Sequence, residues 1–126
     1  MNDPVRGDIY WVNWNPGRGS EQTGIRPALI IQNNVGNKLS PNVIVAALTT
    51  APNKPFPFLV SFTARESGLK EAGAVDLGSI MTVSKARLQV KCGRLNAEKM
   101  AAVDIAICVS LGIDINGLTG SSPSII

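Results

Sequence analysis

Short apolar segments of strand length recur along this chain, and clusters of proline, glycine and asparagine separate them. Residues 8–13 are aromatic and β-branched, which favours a strand. Residues 43–48 form a nearly continuous apolar run and are predicted to be the central strand. The other predicted strands are 28–32, 58–62, 73–77, 80–83 and 88–94. This pattern indicates an antiparallel sheet built from short strands.

Alternation is clearest in residues 88–94, where Leu88, Val90 and Cys92 are predicted to face inward. A period of two is typical of a half-buried antiparallel strand. The only long helical pattern in the chain follows this strand directly.

That helix is predicted to begin at Asn96, whose side chain can cap the free amides of the first turn. Glu98 lies in the first turn, where the helix dipole favours an anion. Gly112 is a residue type typical of helix C-termini. The predicted apolar face consists of Met100, Val103, Ile107, Cys108 and Leu111. We therefore expect six or seven short antiparallel strands in a curled sheet, closed by one C-terminal helix.

The size of 126 residues suits one domain, assigned to residues 1–112, with a flexible tail at 113–126. The longest apolar runs are of strand length and too short to span a bilayer. No stretch near the N-terminus resembles a signal peptide, so we expect a cytoplasmic protein without membrane contact. The chain has two cysteines and no histidine, so a structural zinc site lacks its usual ligands.

A polar loop of eleven residues, 14–24, connects the first two predicted strands. Hairpin loops usually have about two to five residues, and longer loops are often functional. The glycine spacing in 19–24 resembles a phosphate-binding P-loop. However, Ile25 and Arg26 stand where lysine and serine or threonine are required, and a strand follows instead of a helix. Nucleotide binding of that type is excluded, while an ordinary connection and a ligand-binding loop both stay open.

A basic segment follows the short strands near residue 83. Lys85, Arg87, Lys91 and Arg94 lie close together in the sequence. These cations could attract a polyanion, or they could form a solvated face. The residues alone favour neither alternative.

Several motifs together resemble the MazF/PemK toxins, the endoribonucleases of type II toxin–antitoxin modules. They are residues 6–12, 19–22 with Gly24, 26–27, 30–33 and 45–50. The resemblance extends from Arg6 to about Gly112. It implies a mainly β fold, an SH3-like, MazF-type curled antiparallel β-barrel with a C-terminal α-helix. It also implies a homodimer, no cofactor or metal, and a cognate antitoxin whose disordered tail occupies the RNA site.

The resemblance places Arg26 and Thr49 at the catalytic positions of the family, and Glu21 at a glutamate of its loop. A guanidinium recognises phosphate in a planar, bidentate way that lysine does not. A threonine hydroxyl can donate a hydrogen bond to a phosphoryl oxygen. Glu21 is expected to act as a base or to orient Arg26. Without the family pattern, a surface salt bridge for Arg26 and a turn role for Thr49 are the simpler interpretations.

RNA contacts are expected at further positions of the same pattern, namely Ser20, Gln22, Trp14, Asn33, Ser79 and Thr82. Trp14 and Tyr10 are aromatic and could stack on unpaired bases. Tyr10 and Trp11 alternate faces, so at least one of them is expected in the core. Ser20 stands where some relatives carry histidine, so imidazole cannot transfer protons here.

The chain departs from the family at residues 78–81. Many members have an acidic residue, glutamine, an apolar residue or proline, and arginine there, whereas this chain has Gly78, Ser79, Ile80 and Met81. Thr82 is retained. Because base-edge contacts depend on such side chains, the recognition sequence of a relative does not transfer to this chain.

The predicted function is a sequence-preferring, metal-independent endoribonuclease that cleaves single-stranded RNA and arrests translation. Attack by the 2′-hydroxyl would leave a 2′,3′-cyclic phosphate and a 5′-hydroxyl. A gyrase poison like the CcdB relatives is less favoured, because their Trp-Gly-Ile ending is replaced here by residues 123–126, Pro-Ser-Ile-Ile. A catalytically quiet RNA- or antitoxin-binding remnant is the third hypothesis, motivated by residues 78–81.

Overall fold

The computed structural model describes residues 3–16, 24–50 and 55–116. Six antiparallel strands form one sheet in the order β4-β5-β3-β2-β1-β6. The strands are β1 (Asp8–Asn13), β2 (Ile25–Ile30), β3 (Asn42–Thr50), β4 (Leu59–Phe62), β5 (Gly73–Ser84) and β6 (Leu88–Arg94). The helices are α1 (Asn34–Leu39), α2 (Ala64–Ser67) and α3 (Ala97–Leu111), and a 3-10 turn spans Lys85–Arg87. The predicted mainly β fold with a C-terminal helix is confirmed.

The second strand begins three residues earlier than predicted and ends at Ile30. Pro27 lies opposite Trp11 within the paired part of β1 and β2, and the pairing continues to Ile25. The strand ends because the amides of Ile31 and Gln32 both donate to the carbonyl of Ile44. One carbonyl facing two successive amides breaks the regular ladder.

Residues 73–77 and 80–83, predicted as two strands, form the single twelve-residue strand β5. Its pairing with β3 passes from Ala46 opposite Ile80 to Ala47 opposite Asp76, so residues 77–79 form a bulge. The carboxylate of Asp76 accepts hydrogen bonds from the Gly78 amide and the Ser79 hydroxyl, each at 2.9 Å. These contacts stabilise the bend in the strand.

The predicted inward position of Val90 is wrong, because its side chain is 65% exposed. Leu88 is buried as predicted, and Cys92 packs against the core. The pairing of β6 with β1 shifts between Tyr10 opposite Lys91 and Val12 opposite Leu88, which adds one residue to β6. Such a slip exchanges the faces of a strand, and this explains the error at Val90.

The sheet is buried on both faces. Ile9 and Leu29 belong to one core cluster, while their neighbours Tyr10 and Ile30 belong to the other. Successive side chains of a strand point to opposite faces, so the two clusters lie on opposite sides. The first cluster includes Val103 of α3. The second consists of strand residues and Trp14, as expected for a sheet that curls over itself.

Helix α3 has both predicted caps. The Asn96 side chain accepts from the Lys99 amide at 2.8 Å, and Gly112 ends the helix at a φ of 72°. Val103 is buried on the predicted core face, but Leu111 is 60% exposed. The prediction for Leu111 is wrong because the helical members of the core cluster end at Ile107.

No helix among the described residues is long and apolar enough to cross a membrane. The predicted tail falls mainly on residues 117–126, which lie outside the described residues. The division at residue 112 therefore stays a prediction.

Candidate active site

Arg26 and Thr49 lie at the same end of the neighbouring strands β2 and β3. Ala28 pairs with Ala47, and Arg26 and Thr49 each lie two residues further towards that end. Residues two apart in a strand share a face, so both side chains leave the sheet on the face of the alanine pair. Both residues are exposed, and both line one groove of about 840 Å³. The structure therefore brings the two predicted catalytic residues together.

The groove combines apolar and charged surfaces. Trp11, Pro27, Leu48 and Phe62 contribute apolar surface, and residues 68–73 between α2 and β5 line another part of it. Its charged lining residues are Arg26, Lys70, Glu71 and Asp76. Aromatic surface beside cations is the combination that holds single-stranded nucleic acids.

Gly73 lets β5 approach Thr49 closely. A Cβ atom at position 73 would lie 2.8 Å from the Thr49 carbonyl oxygen and 3.0 Å from Cζ of Phe62. Gly73 pairs with Thr50 in the sheet. Any larger residue at position 73 would therefore displace the strand end that carries Thr49.

Ser20, Glu21 and Gln22 lie outside the described residues, so their roles stay predictions. The two ends of their loop are held together beside Arg26. The Trp14 amide donates to the Gly24 carbonyl at 2.8 Å, and the Gly24 amide donates to Oδ1 of Asn15 at 2.9 Å. Nη1 of Arg87 donates to the carbonyls of Asn13, at 3.0 Å, and Asn15.

Trp14 does not present its ring for base stacking. It is 6% exposed and packs in the second core cluster, and Tyr10 in the same cluster is 8% exposed. The stacking prediction for these two rings therefore has no support. Trp11 is the more exposed aromatic residue of β1, at 36%, and it lines the groove.

Asn33, Ser79 and Thr82 are not among the described residues that line the groove. The Asn33 side chain caps α1 by accepting from the Gly36 amide at 2.8 Å. The Ser79 hydroxyl donates to Asp76. Thr82 is exposed and lines a second pocket, of about 350 Å³, together with Trp14. RNA contacts by these three residues stay predictions, and two of the side chains have structural contacts.

The cations of the basic segment make contacts with other groups of the same molecule. Lys91 and Arg94 lie 3.2 and 3.4 Å from Oδ1 of Asp8, whose side chain is 4% exposed. Lys85 pairs at 3.5 Å with an aspartate near the N-terminus. Arg87 binds the base of the loop. These contacts favour a structural role for the segment over an extended polyanion path.

Cys92 lines the groove and carries a thiol. Burial raises the pKa of the Cys92 thiol above its ordinary value, since a thiolate is poorly solvated there. At neutral pH the group is therefore a protonated thiol and not a nucleophile. Within the described ranges, no group of three or more histidine, cysteine, aspartate or glutamate residues is placed to hold a metal ion.

The sequence model of the PemK-like, MazF-like toxins of type II toxin–antitoxin systems matches residues 5–111. The chain belongs to this family. It is 44% identical over 110 residues to the endoribonuclease MazF of Staphylococcus epidermidis, covering 86% of this chain and 92% of that protein.

Solved structures show the same fold. MazF from Deinococcus radiodurans aligns with a TM-score of 0.74 and 25% identity over 89% of this chain and 99% of that one. An endoribonuclease from a mycobacterial species, solved in complex with its cognate antitoxin, aligns with a TM-score of 0.73 and 25% identity. That alignment covers 88% of this chain and 97% of the mycobacterial chain. The predicted MazF-type fold is confirmed.

Sequence reasoning missed several residues of the groove, namely Trp11, Lys70, Glu71, Asp76 and Cys92. Asp76 could have been noticed in the sequence, because this acidic residue lies two residues before the segment that departs from the family pattern. Lys70 and Glu71 lie in an irregular connection, where periodicity gives no information about direction.

Proposed function

We propose that this chain is a sequence-preferring, metal-independent endoribonuclease toxin that cleaves single-stranded RNA and so arrests translation. The observation that carries the proposal is the placement of Arg26 and Thr49 in one groove at the ends of adjacent strands. The endoribonuclease name of the staphylococcal relative supports RNA cleavage over a gyrase poison.

In this reaction the 2′-hydroxyl of the RNA attacks the adjacent phosphate. Arg26 binds two phosphate oxygens and offsets the negative charge that grows in the transition state. The Thr49 hydroxyl donates to a phosphoryl oxygen. The products carry a 2′,3′-cyclic phosphate and a 5′-hydroxyl. Glu21 is proposed to act as a base or to orient Arg26.

The shape and chemistry of the groove suit an unpaired strand. Trp11 offers a partly exposed ring on which a base can stack. Lys70 lies along the same groove and can bind a neighbouring phosphate. The identity of the bases read is expected to differ from that of relatives, because residues 78–81 differ.

The proposed partners are a cognate antitoxin and a second copy of the chain. A disordered antitoxin tail would occupy the RNA groove, where Arg26 and Lys70 can each bind a carboxylate. The mycobacterial relative solved with its antitoxin supports this partner. Exposed apolar residues on α3 support a homodimer. The proposal places the protein in the cytoplasm, where translated RNA is found.

The test is cleavage of a long single-stranded RNA by purified protein in EDTA. We expect defined cuts with 5′-hydroxyl ends, and a loss of at least about 100-fold in kcat/KM for Arg26→Ala and Thr49→Ala. Arg65→Ala is the matched control, because Arg65 is an exposed cation of α2 outside the described groove. RNA that stays intact in EDTA but is cut after a divalent metal is added would contradict the proposal.

Growth arrest separates the enzyme from a quiet binding remnant, the alternative motivated by residues 78–81. Induction of the wild-type chain should arrest growth, and induction of Arg26→Ala should not. No arrest by either chain would favour the remnant.

A further inference from the structure

Asp76 lies beside Thr49, one of the two residues assigned to the phosphate. In the pairing of β3 with β5, Thr49 is opposite Ala74 and Ala47 is opposite Asp76. Thr49 and Asp76 are therefore diagonal neighbours on one face of the sheet, a relation that places such residues about 7 Å apart. Asp76 also lines the groove that contains Arg26 and Thr49.

The carboxylate of Asp76 is held in one orientation. Its Oδ1 accepts from the Gly78 amide and its Oδ2 from the Ser79 hydroxyl, each at 2.9 Å. Each oxygen of an ionised carboxylate can accept a further hydrogen bond. Asp76 is half-buried, so its side chain is less free to rotate than a fully exposed one. The group is fixed but can still take a proton.

Gly78 keeps this carboxylate accessible. A Cβ atom at position 78 would lie 3.1 Å from Oδ1 of Asp76, so a side chain there would crowd the acid.

The other groups of the groove are less suited to accept a proton. Among the described lining residues, Glu71 is an exposed carboxylate on an irregular connection, and Cys92 is a half-buried thiol. Arg26 carries a guanidinium, a group that does not serve as a proton acceptor in proteins. The chain has no histidine. Asp76 is the half-buried carboxylate of this set whose orientation is fixed by the bulge.

We propose that Asp76 is a catalytic residue that accepts the proton of the attacking 2′-hydroxyl. This rests on the proposed endoribonuclease function. The O–H bond of the 2′-hydroxyl breaks, its proton moves to Asp76, and the 2′-oxygen forms a bond to phosphorus. The bond from phosphorus to the 5′-oxygen breaks, and that oxygen leaves with the electron pair and takes a proton from water. Asp76 then releases its proton to solvent.

Single-turnover cleavage of a short RNA with one cut site tests this role. Asp76→Asn keeps an acceptor for the Gly78 amide but cannot take the proton. We expect it to lower the cleavage rate at saturation by at least about 100-fold, with an RNA affinity within about twofold of wild type. Ser79→Ala removes one hydrogen bond but keeps the carboxylate, and should lower the rate by less than about tenfold. Glu98→Gln, an exposed carboxylate at the start of α3, is the matched control and should cleave like wild type.

A substrate with sulfur in place of the 5′-oxygen identifies the proton that Asp76 moves. A thiolate leaves without protonation, but the 2′-proton must still be removed. The defect of Asp76→Asn should therefore persist on the sulfur substrate. A defect that disappears on this substrate would assign Asp76 to the leaving group and overturn the proposal.

Asp76→Glu is a second variant for the case that Asp76→Asn loosens the bulge and destabilises the protein. The longer acid should retain more activity than Asp76→Asn at equal thermal stability, which a purely structural role would not predict. Asp76→Asn that cleaves within about threefold of wild type would overturn the assignment. Cleavage by wild type but not by Arg26→Ala in the same series would still support the proposed function, so the two failures are distinguishable.

Discussion

Gly73 helps to position Thr49, because a glycine lets β5 approach the end of β3 closely. We predict that Gly73→Ala lowers kcat/KM by about 10- to 100-fold, since a Cβ atom there would lie 2.8 Å from the Thr49 carbonyl oxygen. The backbone must shift to relieve this overlap, at a cost of about 1–3 kcal/mol. Cleavage kinetics and a thermal melt measure the two effects.

Gly36→Ala is the matched control for that substitution. The three heavy atoms nearest to its added methyl group belong to the side chain of Gln32, at 3.0 to 3.1 Å, and Gly36 lies in a helix away from the described groove. Activity should stay within about twofold of wild type. An equal loss of activity in both variants would show that general destabilisation, and not the position of Thr49, is responsible.

Single residues differ in how far the sequence alone could assign them. Arg26 and Thr49 were predictable because the family pattern marks them, and the strand register brings them together. The positions of Trp11 and Trp14 were not predictable, because both have large amphipathic rings near the same loop. Only the packing of the curled sheet decides that Trp14 is buried and Trp11 lines the groove.

The connection between β1 and β2 is closed at its base by Arg87. We predict that Arg87→Ala lowers kcat/KM by about tenfold, because the loss of two carbonyl contacts frees the segment that leads to Arg26. Charged hydrogen bonds of this kind contribute about 1.5–3 kcal/mol each. Hydrogen exchange at the amides of Trp14 and Gly24 should accelerate in the variant.

Lys85→Ala provides the comparison, since Lys85 is a neighbouring cation with a surface ion pair to Asp3 at 3.5 Å. Such pairs contribute about 0–1 kcal/mol, so exchange at Trp14 and Gly24 should not change. Normal exchange in Arg87→Ala would contradict the proposed closure of the loop base.

Most strands and the long helix were predictable, because their apolar patterns are clear and clusters of proline, glycine and asparagine separate them. The short helices were not, although residues 63–66 carry a readable signal. Thr63 and Glu66 form a reciprocal capping box, a pattern visible as threonine followed three residues later by glutamate. The slip in β6 was unpredictable, because it depends on the pairing with β1.

Several apolar residues of α3 are exposed on the surface of the molecule. Val103 and Ala106 face the core, whereas Ile105 and Val109 are 57% and 46% exposed on another side of the helix. We predict that this side contacts a second copy of the chain, so the wild-type protein should have twice the mass of 13.3 kDa in solution. Ile105→Glu should shift the particle to the single-chain mass in light scattering.

Ser110→Glu adds the same charge to an exposed position about 140° around the helix from Ile105. It should leave the doubled mass unchanged. Dissociation by both variants would point to a general charge effect instead of a contact through Ile105.

The bulge in β5 divides one strand into two parts with different neighbours. Residues 73–76 lie beside Thr49 and β4, and residues 80–84 pair with the opposite half of β3. The segment that departs from the family begins within the bulge, beyond the part that carries Asp76. Substitutions at Ile80 and Met81, beyond the bulge, leave the contacts of Asp76 and the strand ends that carry Arg26 and Thr49 in place. We therefore expect that a toxin of this kind can change the RNA it reads through this half of β5 while keeping the reaction it performs.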